Sequence, residues 1–181
     1  METDYFVFTA VGPDRVGLVD DITEYLVKKR CNILESRMAS LGGEFAVIML
    51  LQAPESSYRD ISGNLGTLAE TIECSVEIKK TSMDNRHQGW KPYIIHVSSV
   101  DAPGIVHALT SVLHSLGINI EDLHTDTVSA PWTGTPMFHL KARISVPAGV
   151  SPASLRNTLN ALETEKDMDI DIKPFSLDSA E

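Results

Sequence analysis

This sequence lacks most of the features that would place it in a common functional class. No apolar run approaches the roughly 20 residues that cross a bilayer. The N-terminus, METDYFVFTAVG, carries acids where a secretory leader would carry bases, and it contains no cleavage-like segment. A cytoplasmic protein with no membrane partner is expected. Basic charge is scarce: 15 Lys and Arg stand against 25 Asp and Glu, a net charge of −10. Affinity for phosphate backbones comes mostly from cationic side chains that displace counterions. Direct nucleic-acid binding is therefore not expected, although control exerted through a protein partner stays open. Cysteine is limited to Cys31 and Cys74, without a CxxC pair or metal-like spacing. Both read as reduced packing residues.

The motifs of catalysis are missing too. There is no G-x-S-x-G, no phosphate-binding P-loop, no dinucleotide glycine pattern and no zinc signature. No catalytic residue, metal site or cofactor is expected, so the chain reads as a non-enzyme. Asp122, His124 and Asp126 alternate and would share one face of a strand, and His96 and His139 could face outward on neighbouring strands. Neither set has tight ligand spacing, and the matching positions of the first trio earlier in the chain are Glu35, Arg37 and Ala39. A polar surface explains both groups more simply than a metal.

The chain does contain an internal repeat. GPDRVGLVDDI (12–22) returns as VDAPGIVHALT (100–110). With Asp14 set over Asp101, Gly17 falls on Gly104, Leu18 on Ile105, Leu26 on Leu113, Asn32 on Asn119 and Ile33 on Ile120. Phe45, Val47, Leu51 and Pro54 then match Phe138, Leu140, Ile144 and Pro147 once extra residues are allowed in or near SAPWTGTP (129–136). The repeat divides the chain into two copies, 1–82 and 92–181, with 83–91 as a polar linker. Aromatic and β-branched residues predict a strand over 5–11, and apolar residues at helical period predict a helix over 16–29. Strands over 31–39 and 45–51, a helix over 57–71 and a strand over 75–80 complete the first copy. The second repeats the order at 93–100, 104–117, 118–128, 137–146, 151–164 and 168–175. This is βαββαβ twice: an α+β class of two tandem ferredoxin-like units, each an antiparallel sheet with its helices on one face.

The turn and the strand start beyond its helix carry a resemblance. V-G-P-D-R-V-G-L-V leading into a helix, then C-N-I opening the second strand, is similar to the ACT domain; V-D-A-P-G-I-V and I-N-I repeat it. The resemblance covers almost the whole chain as two tandem units. It implies a regulatory protein that binds a small amino acid, glycine or serine, where ACT units meet. It also implies a protein partner, a transcription factor of glycine and one-carbon metabolism, and a homodimer.

The turn residues suit that task physically. Glycine at 17 and 104 lets the backbone turn tightly and lets a ligand approach. The helix it opens presents free amides and a positive end to a carboxylate. Asp14 and Asp101 could cap the helix or attract an ammonium group, and Asn32 and Asn119 offer donors and acceptors. The expected ligand residues are Asp14, Arg15, Val16, Gly17, Leu18, Asn32 and Ile33, with Asp101, Ala102, Pro103, Gly104, Ile105, Asn119 and Ile120 in the second copy. The same glycine and aspartate also serve merely to make a strand–helix turn. A dimerisation module without a small ligand is therefore the alternative. Arg15 and Val16 are answered by Ala102 and Pro103, so the two sites are not expected to be equivalent.

The sheet faces differ as well. FHLKARISV (138–146) alternates apolar and polar, whereas FAVIMLLQA (45–53) puts Ala46, Ile48 and Leu50 on the face that carries His139, Lys141 and Arg143 in the second copy. The first unit's outer face is expected to be covered by another unit or subunit, with a modest exposed patch as the alternative. Trp132 is either an exposed anchor or folded back on its hairpin.

Overall fold

A computed structural model describes residues 3–83 and 88–175. Residues 84–87 of the expected linker, and 176–181 at the end of the second copy, lie outside them. Contacts divide the chain into two compact units, Met1–Asp84 and Asn85–Glu181.

The first unit runs β1 (Thr3–Pro13), α1 (Leu18–Lys28), β2 (Asn32–Leu41), β3 (Glu44–Pro54), α2 (Glu55–Gly63), α3 (Leu65–Ile72) and β4 (Ser75–Thr81). The second runs β5 (Lys91–Val100), α4 (Ile105–Ser115), β6 (Asn119–Ser129), β7 (Pro136–Val146), α5 (Pro152–Lys166) and β8 (Asp169–Pro174). The sheets have the same order, β2-β3-β1-β4 and β6-β7-β5-β8, and every pairing is antiparallel. This is the ferredoxin-like arrangement that the periodicity predicts.

Side-chain alternation builds each core. In β1 and β3, Phe6, Phe8, Ala10, Val47, Met49 and Leu51 point inward, where they meet Leu18, Ile22 and Leu26 of α1 and Ile61, Leu68 and Ile72 of the other helices. The second core repeats the scheme with Ile95, Val97, Leu140, Ala142 and Ile144 under Leu109, Leu113, Leu155 and Leu159. Burying such a side chain is worth about 1.5–3 kcal/mol, so these stripes set which face of each helix lies down.

Three local features depart from the simple pattern. The helix expected over 57–71 is two helices. Asn64 breaks it: its φ is −120°, and its side-chain amide donates to the Asp60 backbone carbonyl at 2.7 Å and to Asp60 Oδ1 at 3.0 Å. The amide satisfies a helical carbonyl locally, as short polar side chains do when they compete with the helix. In the second unit the helix is continuous. Ser151 Oγ accepts from the Ser154 amide at 3.1 Å and a proline opens the first turn. The β2–β3 connection is Gly42–Gly43 in the left-handed region, whereas residues 130–135 join β6 to β7. On that longer loop Trp132 is 98% exposed, so it does not fold back.

Both cysteines are buried and unpaired, and burial pushes both thiols above their ordinary range. A thiol reagent at neutral pH should label Cys31 and Cys74 only as fast as the first unit opens; prompt labelling in native buffer would contradict this core. Gly12 is a tighter constraint. A Cβ there would lie 2.6 Å from the Glu73 carbonyl oxygen and 2.7 Å from Cys74 Sγ. Gly12→Ala should destabilise the protein by about 1–3 kcal/mol, the usual cost of overpacking. Denaturant midpoints would measure it.

Candidate functional site

The strand-to-helix turn has the same geometry twice. Gly17 (φ 89°, ψ −7°) caps α1 and Gly104 (φ 93°, ψ 0°) caps α4. Their carbonyls accept from the Asp21 and Ala108 amides, each at 2.9 Å, and so open the helix. Only glycine takes this backbone region without steric cost. Because glycine is the cap, no side chain caps either helix. Amides of a first turn without a side-chain cap can receive an anion, although in α1 the Leu18 amide donates to the Arg15 carbonyl at 3.3 Å.

Of the two roles open to Asp14, capping the helix is not the one it takes. It is held toward the neighbouring hairpin: Ser40 Oγ donates to Asp14 Oδ2 at 2.6 Å, and the Asp14 amide donates to the Gly43 carbonyl at 2.9 Å. Asp101 is tied similarly, its amide donating to the Pro136 carbonyl at 2.9 Å. Arg15 reaches across the mouth of the turn to Asp21 at 2.6 Å. Val16 and Pro103 are exposed at the tip, while Leu18 and Ile105 turn into the cores.

Within one unit, the asparagines do not join these loops. The turn begins after Pro13, which pairs with Glu44, whereas Asn32 pairs with Gln52, which in turn pairs with Tyr5. At about 3.3 Å per residue, the strand from Tyr5 to Pro13 separates the two groups by roughly 26 Å. Asn119 pairs with Ser145 at the same far end of the second sheet, beside Pro92, and donates to Glu121 Oε1 at 2.8 Å. A β-bulge stands at the same place in both copies, between Ile33 and Glu35 and between Ile120 and Asp122. The duplicated bulge aims this strand start away from the regular pleat.

A groove runs between the helices of each unit. In the first it encloses about 410 Å³ beside Tyr25, Lys29, Asn64 and Leu68, away from the glycine turn. In the second it encloses about 510 Å³ and reaches the turn itself, with Ser99, Ala102, Gly104, Ala108 and Glu165 among its walls. Ser99, Ala108 and Glu165 were not candidates from the sequence. A signal existed, since the repeat sets Gly12 over Ser99 and the Arg15–Asp21 pair over Ala102 and Ala108.

The outer sheet faces differ as the alternation predicts. Across the second sheet run two polar rows, His124–Lys141–His96–Asp171 and Asp126–His139–Ser98–Asp169. They line a depression of about 230 Å³, with Ser98 Oγ and His139 Nδ1 3.1 Å apart. Among the described residues, no group of three or more His, Cys, Asp or Glu is placed to hold a metal ion. The first sheet has rows Glu35–Leu50–Val7–Lys79 and Arg37–Ile48–Thr9–Glu77, an apolar centre between charged edges. Ile48 there is 49% exposed. No helix among the described residues is long and apolar enough to cross a membrane.

Comparison with known proteins agrees with this geometry. Residues 4–79 match the ACT domain. The glycine cleavage system transcriptional repressor of Escherichia coli (strain K12) is 29% identical over 161 residues, covering 89% of this chain and 85% of that protein. A UPF0237 protein of Methanosarcina mazei is 32% identical over 79 residues, 44% of this chain and 86% of its own length. The crystal structure of an unknown protein from Galdieria sulphuraria superposes with a TM-score of 0.83 at 31% identity, covering 97% of this chain and all of the other. The first unit matches the ACT domain directly and belongs to that family, and the second repeats its elements, glycine turn and bulge, so the chain is a tandem pair of such units, similar to the glycine cleavage system transcriptional repressor.

Proposed function

We propose that this protein is a non-enzymatic cytoplasmic regulator that binds a small amino acid, glycine or serine, where ACT units meet. Occupancy would be passed on through altered contacts with a protein partner, a transcriptional regulator of glycine and one-carbon metabolism. The observation that carries this reading is the paired glycine turn. It gives a helix start without a side-chain cap twice, in a chain similar over most of its length to a glycine cleavage system repressor. The separation of turn and asparagine supports the placement. A ligand touching both groups needs two units, so its binding would be coupled to how units associate. The mechanism is a population shift, in which the amino acid binds one arrangement more tightly than another.

Thermal unfolding against a panel of free amino acids tests the sensor reading. A ligand at about 100 times its dissociation constant adds roughly 2.7 kcal/mol, a clear rise in midpoint. A selective response to glycine or serine is expected. Gly17→Val and Gly104→Val should each lower the ligand-free midpoint, because valine is strained at these positive φ values, and at least one should remove the response. A flat panel at several millimolar would leave only the dimerisation module.

The exposed apolar centre of the first sheet is proposed as the surface that makes the homodimer. Ile48→Lys puts an unpaired charge in the middle of it and should weaken self-association tenfold or more, about 1.4 kcal/mol. Sedimentation equilibrium would measure this, and an unchanged association constant would place the dimer contact elsewhere.

A further inference from the structure

The two interhelical grooves descend from one repeat, yet four substitutions set them apart. In the first unit the loop end is closed. Arg15 and Asp21 bridge it at 2.6 Å, and Gly12 lets the chain at Glu73–Cys74 pack directly on β1. In the second unit the bridge is replaced by Ala102 and Ala108, and Gly12 by Ser99. The groove there is correspondingly open down to the turn.

The fourth change is electrostatic. The first turn of α1 holds Asp20 and Asp21, which occupy its positive end with their own charge. The first turn of α4 holds no acid; His107 stands where Asp20 was. An incoming carboxylate is repelled at one helix start and not at the other.

Ser99 supplies an independent sign of a ligand. It is 7% exposed and lines the groove, and its hydroxyl has no hydrogen-bond partner among the described residues. An unpaired buried hydroxyl costs about 1–3 kcal/mol, and the first unit has glycine at this position; the hydroxyl without a partner in its own groove is that of Tyr25, a side chain only partly buried. The groove's other polar side chains are Glu165 and Lys166, paired at 3.0 Å, and His107 and Ser111, whose Nε2 and Oγ are 3.5 Å apart. Its walls between them are apolar, with Ile105, Val112 and Leu162. That pattern fits a zwitterion with a short side chain.

We propose that this second-unit groove, and not its counterpart in the first, is the small amino-acid site. The carboxylate sits on the amides that open α4, the ammonium faces Glu165, and a polar group of the ligand meets Ser99 Oγ after a χ1 rotation. This rests on the sensor reading above and names which half of the duplication supplies the turn and groove; an asparagine of another unit would complete the groove at its open end.

Calorimetric titration of the full chain with glycine, L-serine and L-alanine tests it. Ser99→Ala should weaken at least one of these about tenfold while the ligand-free melting midpoint holds or rises, because an unpaired hydroxyl is removed. The double variant A102R/A108D, which installs the first unit's bridge, should abolish binding with its circular dichroism intact. Thr71→Arg, which fills the corresponding groove of the first unit at the Glu165 position, should bind as wild type. If Ser99→Ala binds unchanged, or if Thr71→Arg loses binding instead, this assignment is overturned and the sensor reading survives. If none of the three amino acids binds the wild-type chain, both fall together.

Discussion

Each unit depends on one backbone event, the left-handed glycine between its first strand and first helix. Gly17 and Gly104 reverse the chain within a few residues and send the helix back across its own sheet. That return lets Leu18, Ile22 and Leu26 reach Phe6, Phe8 and Ala10, and lets Ile105, Leu109 and Leu113 reach Ile95 and Val97. A Cβ at either glycine would be strained, and the whole apolar stripe of the helix would rotate with any relief of that strain. The same residue forbids a side-chain cap and so keeps the helix start available. Fold and candidate chemistry meet at one φ angle.

Around that shared turn the copies have diverged in opposite directions. The first has closed its groove with an ion pair and a glycine–cysteine contact, and has made the outer face of its sheet apolar. The second has opened its groove to the turn, kept the buried Ser99 hydroxyl without a partner among the described residues and covered its outer face with histidines, aspartates and a lysine. An orphan hydroxyl that costs stability is tolerable only where something offsets it, and ligand binding is the ordinary offset. The apolar sheet of the first unit asks for a protein surface, and the open groove of the second asks for a small molecule. A duplicated fold allows both demands to be met without one disturbing the other.

The fold was legible because each element repeats its period twice. Leu18, Ile22 and Leu26 are echoed by Ile105, Leu109 and Leu113, and the alternation over 138–146 leaves one orientation of its sheet. The features that stayed hidden depend on single polar atoms or single residues. Nothing in a period announces that the Asn64 amide will satisfy the Asp60 carbonyl and split a helix. The bulges at Leu34 and Glu121 add one residue to a strand, which a two-residue period reads as noise. Asp14 has the right type and place for a cap, but Ser40 competes for it from the hairpin. The candidate site was half legible: the turn residues stand where the motif puts them, yet the asparagines lie at the far end of the sheet. Antiparallel pairing of Pro13 with Glu44 and of Asn32 with Gln52 makes that unavoidable.

Ligand size then limits how such a protein can signal. The best small ligands gain about 1.5 kcal/mol per heavy atom, so glycine, with five, has about 7.5 kcal/mol at most. Moving an equilibrium from mostly one state to mostly the other takes about 5.5 kcal/mol of differential binding. Most of glycine's binding energy would therefore have to be lost in the unfavoured state. A groove that merely changed shape would not achieve this. A groove covered by a second surface in one state and open in the other would, because the helix-start amides, Ser99 and Glu165 would then be withdrawn together. On the proposed reading, the amino acid and a protein surface compete for, or complete, the same open end of the second unit. Occupancy of an ACT pair then becomes a change of partner without any chemical step.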